Sequence, residues 1–242
     1  MVDRREPDRL SDPRNRPWVS PTDRSVSAVI PARNEAAYID ATLSSCRELI
    51  GASFDEIIVV DGESTDETVP IARDHGVTVV TEPERSIARA RNVGARRATG
   101  EWLAFVDADT VLDPSYLSAM LTYVDLTGRA AASSYCRITG PVRAKLMQGT
   151  INRLFPRLTH PILPGFNTFV HRAAFDALGG FPDVPNEDTA FSRRLAAEYP
   201  TGYCPRILVE TSGRRVAADG LTGTLWHYAR LDVGRVRATG VG

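Results

Sequence analysis

Residues 102–109 read WLAFVDAD, five apolar residues followed by two aspartates with one alanine between them. Trp102, Leu103, Ala104, Phe105 and Val106 show no polar alternation, as expected for a strand buried on both faces of a parallel sheet. Asp107 and Asp109 then stand at its carboxyl end, where ligands bind in open α/β sheets. Two hard oxygen donors at that mouth suit Mg2+ or Mn2+, with polyphosphate oxygens completing the shell. The same triplet also reads as a turn with two solvated aspartates.

Working outward toward the N-terminus, the pattern of short apolar run, polar turn and helical periodicity occurs three times. VSAVI (26–30) is closed by Pro31, and a helix is predicted from about Glu35 to Ile50 with Asn34 as N-cap and Ile39, Leu43 and Cys46 on one face. EIIVV (56–60) ends at Asp61, and Ser64-Thr65-Asp66-Glu67 has the form of a capping box for a helix through about Asp74, stopped at His75-Gly76. VTVV (77–80) precedes a helix from Ile87 to Ala98. Three crossovers therefore come before WLAFV, and the alternation specifies βαβ units on a parallel sheet.

On the C-terminal side, a helix is expected over about Ser115–Val124 and a strand over Ala130–Ile138. Lys145–Phe155, with Leu146, Met147, Ile151, Leu154 and Phe155 beside Arg143, Arg153 and Arg157, reads as an amphipathic helix packed on the sheet. A strand at Phe166–Val170, a turn at Gly179–Pro182 and a helix over Asp188–Glu198, opening at an Asn186-Glu187-Asp188 corner, complete the pattern. The expected class is α/β, a mostly parallel sheet flanked by helices. A Rossmann-like half spans 25–113 and a second half of the same domain 114–216. Residues 1–24, charged and Pro-rich, read as a flexible tail, and 217–242 as a C-terminal extension.

Of the 242 residues, 43% are hydrophobic and 24% charged, which excludes disordered, collagenous and disulfide-stapled classes. A net charge of −1 gives no single-sign field to recruit nucleic acid. Cys46, Cys136 and Cys204 are odd in number and widely spaced, which suits a reducing compartment and argues against a structural zinc site. The N-terminus lacks an apolar signal region and no run is long enough to span a bilayer, so a cytoplasmic location is the expectation.

Two further loops belong to the edge that carries Asp107. Pro31-Ala32-Arg33-Asn34-Glu35 and Asp61-Gly62-Glu63-Ser64-Thr65-Asp66 both lead into helices there, offering backbone N–H groups to an anion, and Asp61 can accept from a base or ribose. Arg85, Arg89 and Arg91, with Asn92, surround the start of the third helix, as diphosphate ligands or as a solvated basic face. Glu187 and Asp188 read either as chemical groups or as acids favoured in a first helical turn. Neither the Gly-rich P-loop nor the G-x-G-x-x-G dinucleotide fingerprint occurs.

VIPARNEAAYI, IIVVDGESTDET, ARARNVGARRATGEWLAFVDADT and GGFPDVPNEDTAFSRRL, in this order, together resemble the family 2 glycosyltransferases of the GT-A fold over about Ser25–Val216. Glu63 departs from that family's usual glycine. The resemblance implies a nucleotide-sugar-binding half at 25–113, an acceptor half at 114–216, and inverting transfer of a sugar from a nucleotide-diphosphate sugar, UDP- or GDP-linked, with Mg2+ or Mn2+. The Q-x-x-R-W signature of processive polymerising relatives does not occur, which favours single addition. By position, Asp61 would bind the nucleobase, Asp107 the ribose or metal, and Asp109 the metal at the diphosphate. Ala108 lies between them, Asp188 beside Glu187 would be the general base, and Arg215 would close over the diphosphate. Acceptor recognition falls to Lys145–Phe155 and the HPILPGF segment, whose apolar and basic mixture suits a lipid-linked acceptor and peripheral membrane contact. Two rivals remain at this level. LAFVDADTV also fits the nucleophile motif of haloacid-dehalogenase-type phosphohydrolases, with Asp107 as nucleophile and Lys145 as the required lysine. A nucleotide-sugar-binding protein without catalysis is the second.

Overall fold

A computed structural model describes residues 24–84 and 86–214. The apolar run expected to form a buried strand does so, as β4 (Trp102–Val106), buried at every position. It pairs in parallel with β1 (Val26–Ala32), which pairs in parallel with β2 (Glu56–Asp61), which in turn pairs with β3 (Thr78–Thr81). The connecting helices are α1 (Ile39–Arg47), α2 (Thr68–Asp74) and α3 (Ile87–Arg97). Pro31 does not close β1 but lies within it, opposite Val60, so the carboxyl ends of β1 and β2 finish level at Ala32 and Asp61.

Beyond β4 the sheet continues through β7 (Asn167–His171), β6 (Ala131–Thr139), β8 (Thr201–Ser212) and β5 (Thr110–Leu112), giving the order β3-β2-β1-β4-β7-β6-β8-β5. β7 runs antiparallel to both neighbours, and β5 antiparallel to β8, so the sheet beyond β4 is mixed where β3-β2-β1-β4 is purely parallel. Helices α4 (Tyr116–Thr127), α5 (Val142–Gly149), α6 (Arg172–Ala177) and α7 (Glu187–Glu198) complete the fold. The sequence pattern does not anticipate β5 or α6. Each is too short for a period to be read, and β5 exists because Thr110–Leu112 finds β8 a hundred residues later.

Four local expectations need correction. The helix expected from Glu35 begins at Ile39, because Asn34 takes a left-handed φ of 54° and acts as a loop tie, not an N-cap. The Ser64–Glu67 capping box does not form. Asp66 instead accepts from Thr68 N–H at 3.0 Å and from Ala36 N–H at 3.1 Å, while Ser64 Oγ accepts from Asn34 N–H at 2.9 Å. Those groups join two loops instead of starting one helix. Lys145–Phe155 is not one helix: α5 ends at Gly149, a single π-helical turn follows at Thr150–Leu154, and a 3-10 turn at Phe155–Arg157. Finally, Met147, Ile151 and Phe155 of that segment are buried as expected, but Leu146 and Leu154 face outward.

Close approach of α3 to the sheet sets the position of its polar side chains. A Cβ at Gly94 would lie 2.3 Å from Val29 Cγ1 and 3.0 Å from Val60 Cγ2, so only glycine lets the helix backbone sit this near β1 and β2. At the opposite end of the strands, Glu56 Oε1 accepts from Ser27 Oγ at 2.6 Å, Thr99 Oγ1 at 2.8 Å, Gly100 N–H at 3.3 Å and Thr99 N–H. Burial opposes the charge there, but these donors outweigh it and hold the Glu56 carboxyl below its ordinary value. Glu56→Ala is expected to cost about 1 kcal/mol at neutral pH. A depressed carboxyl stabilises above its unfolded pKa and loses that effect as pH falls through the folded value. Urea melts of the variant and wild type should therefore converge in acid, below the ordinary carboxylate range. A gap that stays constant into acid would refute the assignment.

Candidate active site

Asp107 and Asp109 follow the end of β4, and each meets an arginine. Arg91, on the buried face of α3, is 2% exposed, yet it donates from one terminal nitrogen to Asp107 Oδ1 at 2.9 Å and from the other to Glu187 Oε1 at 2.5 Å. Its guanidinium lies over the Phe181 ring, 5.3 Å from the centroid. Asn92 fixes the same backbone by exchanging two hydrogen bonds with Phe181. Burial would lower the Arg91 pKa, but Asp107, Glu187 and Asp188 together drive it up. Glu187 is moved upward chiefly by burial, against the pull of Arg91. A buried ion triad is thus built from three elements, and it clamps the end of β4 to the start of α7.

Asp188 stands next to this triad. Its Oδ2 accepts from Gly165 N–H at 3.1 Å and its Oδ1 from Thr189 N–H at 2.6 Å. Gly165 is constrained by the same cluster, since a Cβ there would lie 2.4 Å from the Arg91 guanidinium. Asn186, with φ of 54°, turns the chain so that Glu187 and Asp188 both open the helix toward β4. Asp107, Asp109, Glu187 and Asp188 line one cavity of about 270 Å³, together with Met147, Ile151 and Phe155.

Asp109 is met by Arg214, whose Nε donates to Asp109 Oδ2 at 3.2 Å and whose terminal nitrogen donates to Glu35. Thr211 Oγ1 lies 3.4 Å from Asp109 Oδ1, and the Arg214 guanidinium is 4.4 Å from the Tyr38 ring centroid. Desolvation opposes the charge of Arg214, but Glu35 and Asp109 raise its pKa. Among the described residues, no three His, Cys, Asp or Glu side chains are grouped to hold an ion by themselves. The Asp107 and Asp109 carboxylates fit a divalent cation that takes the rest of its shell from phosphate oxygens and water, not an all-protein cage.

A second cavity, about 330 Å³, adjoins the first across Ile87. Pro31, Ala32, Arg33, Glu35, Gly62, Glu82, Ser86 and Ala90 form its walls. Its two rims are tied together: Thr65 N–H donates to Asn34 Oδ1 at 2.8 Å and Glu35 N–H to Thr68 Oγ1 at 2.7 Å. Asp61, at the end of β2, accepts from Ser64 N–H at 3.1 Å.

Of the expected site residues, Pro31, Ala32, Arg33, Glu35, Arg91, Asp107, Asp109, Glu187 and Asp188 line the two cavities, some in unexpected roles, and Asn34, Asp61 and Ala108 line neither. Arg91 is an internal counter-ion. Ala108 is buried, and its carbonyl accepts from Thr42 Oγ1 at 2.8 Å. Arg89 lines neither cavity and pairs with Glu84. Arg85 and Arg215 lie outside the described residues, as do the tail before Arg24 and the extension after Val216. Arg214, Glu82 and Gly165 are at the site, although no sequence pattern marks them individually. Arg214 could not be told from Arg215 by type, and Glu82 follows a strand without any motif.

The sequence matches the family model described as glycosyl transferase family 2 over residues 27–179. An uncharacterised glycosyltransferase of Haemophilus influenzae is 27% identical over 160 residues, covering 66% of this chain and 51% of that protein. Validoxylamine A glucosyltransferase of Streptomyces hygroscopicus subsp. jinggangensis is 33% identical over 145 residues, 57% of this chain and 31% of that one. Among solved structures, S. aureus TarS 1–349 in complex with UDP superposes with a TM-score of 0.65 at 19% identity, over 78% of this chain and 60% of that one. The mannosyltransferase PcManGT from Pyrobaculum calidifontis, in complex with GDP-Man and Mn2+, gives 0.66 at 24% identity, over 78% and 57%. The chain spans 29% to 51% of the length of the first curated relatives it matches. With the GT-A fold common to those structures and a family match over more than half its length, the chain belongs to glycosyl transferase family 2.

Proposed function

We propose that this chain transfers a glycosyl group from a nucleoside-diphosphate sugar to an acceptor, with inversion, by single addition and with Mg2+ or Mn2+. The observation that carries the reading is the meeting of Asp107 and Asp109 from β4 with Glu187 and Asp188 from α7 around one cavity, beside a cleft at the ends of β1 and β2. The cleft between Pro31 and Glu82 receives the nucleoside, and residues 25–113 act as the donor half. The sugar lies over Asp107, and residues 114–216 receive the acceptor from the side of Met147 and Phe155. The UDP of TarS and the GDP-Man and Mn2+ of PcManGT support a UDP- or GDP-linked donor.

In the transfer, the acceptor oxygen bonds to the anomeric carbon while the carbon–oxygen bond to the diphosphate breaks and its electron pair leaves with the phosphate. Asp188 takes the acceptor's proton, held in orientation by Gly165 N–H. Arg91 keeps Asp107 and Glu187 fixed as charge develops. Arg214, already at Asp109, is placed to donate to the departing diphosphate. A bound divalent cation supplies positive charge for that leaving group. The phosphohydrolase reading has less support, because Lys145 donates to the Ile138 carbonyl at 2.7 Å and Asp107 is held by Arg91.

A thermal-shift panel of UDP, GDP, CDP, ADP and dTDP, with and without Mn2+, tests the reading. One nucleotide should stabilise only with metal, by about 2.7 kcal/mol at a hundredfold excess over Kd, roughly 5–10 °C in Tm. Asp109→Ala should remove the metal-dependent part. A wholly flat panel, or a variant that keeps the shift, would refute the assignment.

A further inference from the structure

Although the whole chain is at −1, no acidic residue occurs between Asp125 and Asp176, while seven arginines and lysines do. Within that block, α5 and the turns after it are held to the sheet by polar side chains. Asn152 exchanges hydrogen bonds with the Cys136 backbone, Oδ1 accepting at 2.9 Å and Nδ2 donating at 2.8 Å. Gln148 accepts from Ile138 N–H at 2.9 Å, and Lys145 donates to the Ile138 carbonyl. These contacts cover the edge of β6 beyond its short pairing with β7. Met147, Ile151 and Phe155 turn inward and wall the active-site cavity.

Among the described residues, none covers the outer face of the same segment. Val142 is 77% exposed, Leu146 56% and Leu154 52%, and the side chains beside them, Arg143, Arg153 and Arg157, are exposed too. Large apolar groups left in water among like positive charges have the chemistry of a helix that lies in a headgroup region, apolar side chains dipping in and basic ones meeting anionic lipid. A second copy of the chain would bring two basic faces together, which charge opposes. Among the described residues no helix is long and apolar enough to cross a membrane, so the contact is one of surface.

We propose that the outer face of α5 and the following turns docks on an anionic lipid bilayer. The cavity wall formed by the inner face then lies at headgroup level, and a lipid-linked acceptor would enter from that side. The acceptor class rests on the transfer reading above; the docking does not.

Flotation of the full chain with vesicles, in the absence of donor, tests the docking alone. The chain should float with phosphatidylcholine mixed with phosphatidylglycerol at roughly a third of the lipid, should not float with phosphatidylcholine alone, and should release as salt rises. Each basic side chain contributes about fivefold to partitioning, so changing Arg143, Arg153 and Arg157 together to Gln should weaken it about 10²-fold. Leu146→Glu with Leu154→Glu, both at exposed positions, should abolish flotation while keeping wild-type Tm and the nucleotide-dependent thermal shift. No flotation of the wild-type chain, or undiminished flotation of the Leu146/Leu154 variant, would overturn the proposal. So would light scattering that shows a dimer which those two substitutions dissociate. A flat nucleotide panel with intact flotation would instead refute the transfer reading and leave the docking standing.

Discussion

Asp188→Asn should leave metal-dependent nucleotide binding unchanged and lower transfer to a hydroxyl acceptor by about 10²–10⁴-fold, the range over which a positioned base acts. The substitution is nearly isosteric. An amide oxygen at the same place still accepts from Gly165 N–H, so the loop before β7 and the start of α7 keep their contact. What it cannot do is take a proton. Labelled donor incubated with and without acceptor separates the outcomes. Loss of transfer with retained binding supports the base. An unchanged rate would mean that the acceptor oxygen arrives already ionised, as a phosphate does, and would remove Asp188 from the chemistry. Equal loss of binding in Asp188→Asn and Asp109→Ala would sink the division of labour between the two ends of the cavity.

How much of this site could be read in the sequence follows from the range of the interactions. WLAFV is legible because burial on both faces leaves a continuous apolar run, and Asp107 and Asp109 are fixed to its end by one and three peptide units. The loops after β1 and β2 are legible in place but not in form. Asn34, Ser64, Thr65 and Asp66 have the composition of caps, and only the neighbouring carboxyl ends of two parallel strands bring them together as loop ties. Arg91 is a stricter case. On α3 it shares the buried face with Ala88 and Ala95, three residues before and four after, a spacing that already marks an arginine in the inward stripe. Charge pattern alone reads such a group as solvated, because its partners Asp107 and Glu187 lie 16 and 96 residues away. The split of Lys145–Phe155 is likewise not legible. Its apolar residues satisfy helical spacing on paper, but Asn152 and Gln148 bond to the edge of β6, and the chain accommodates them with a π turn.

Arg91→Met should have the largest effect on stability of any single change at the site, about 3–5 kcal/mol, because it leaves Asp107 and Glu187 buried without their cation. Methionine matches the length and apolar stem of the side chain, so the loss is one of charge and hydrogen bonds more than of volume. Two further results distinguish this from a simple packing defect. In wild type, burial already moves Glu187 upward against Arg91. Without the guanidinium the shift grows, and a carboxyl raised in the folded state destabilises as pH climbs above its unfolded value, so the variant should recover stability toward acid where Glu187 takes up a proton. Adding Glu187→Gln to Arg91→Met should restore part of the loss at neutral pH, a positive coupling of neighbours in one network. Transfer should fall by at least about 10²-fold even where the variant is folded, since the end of β4 and the start of α7 are no longer clamped in register. Urea melts across pH settle the matter: a variant whose deficit is the same at every pH, and which Glu187→Gln does not rescue, would show that Arg91 fills space and that the carboxylates are positioned by the backbone alone.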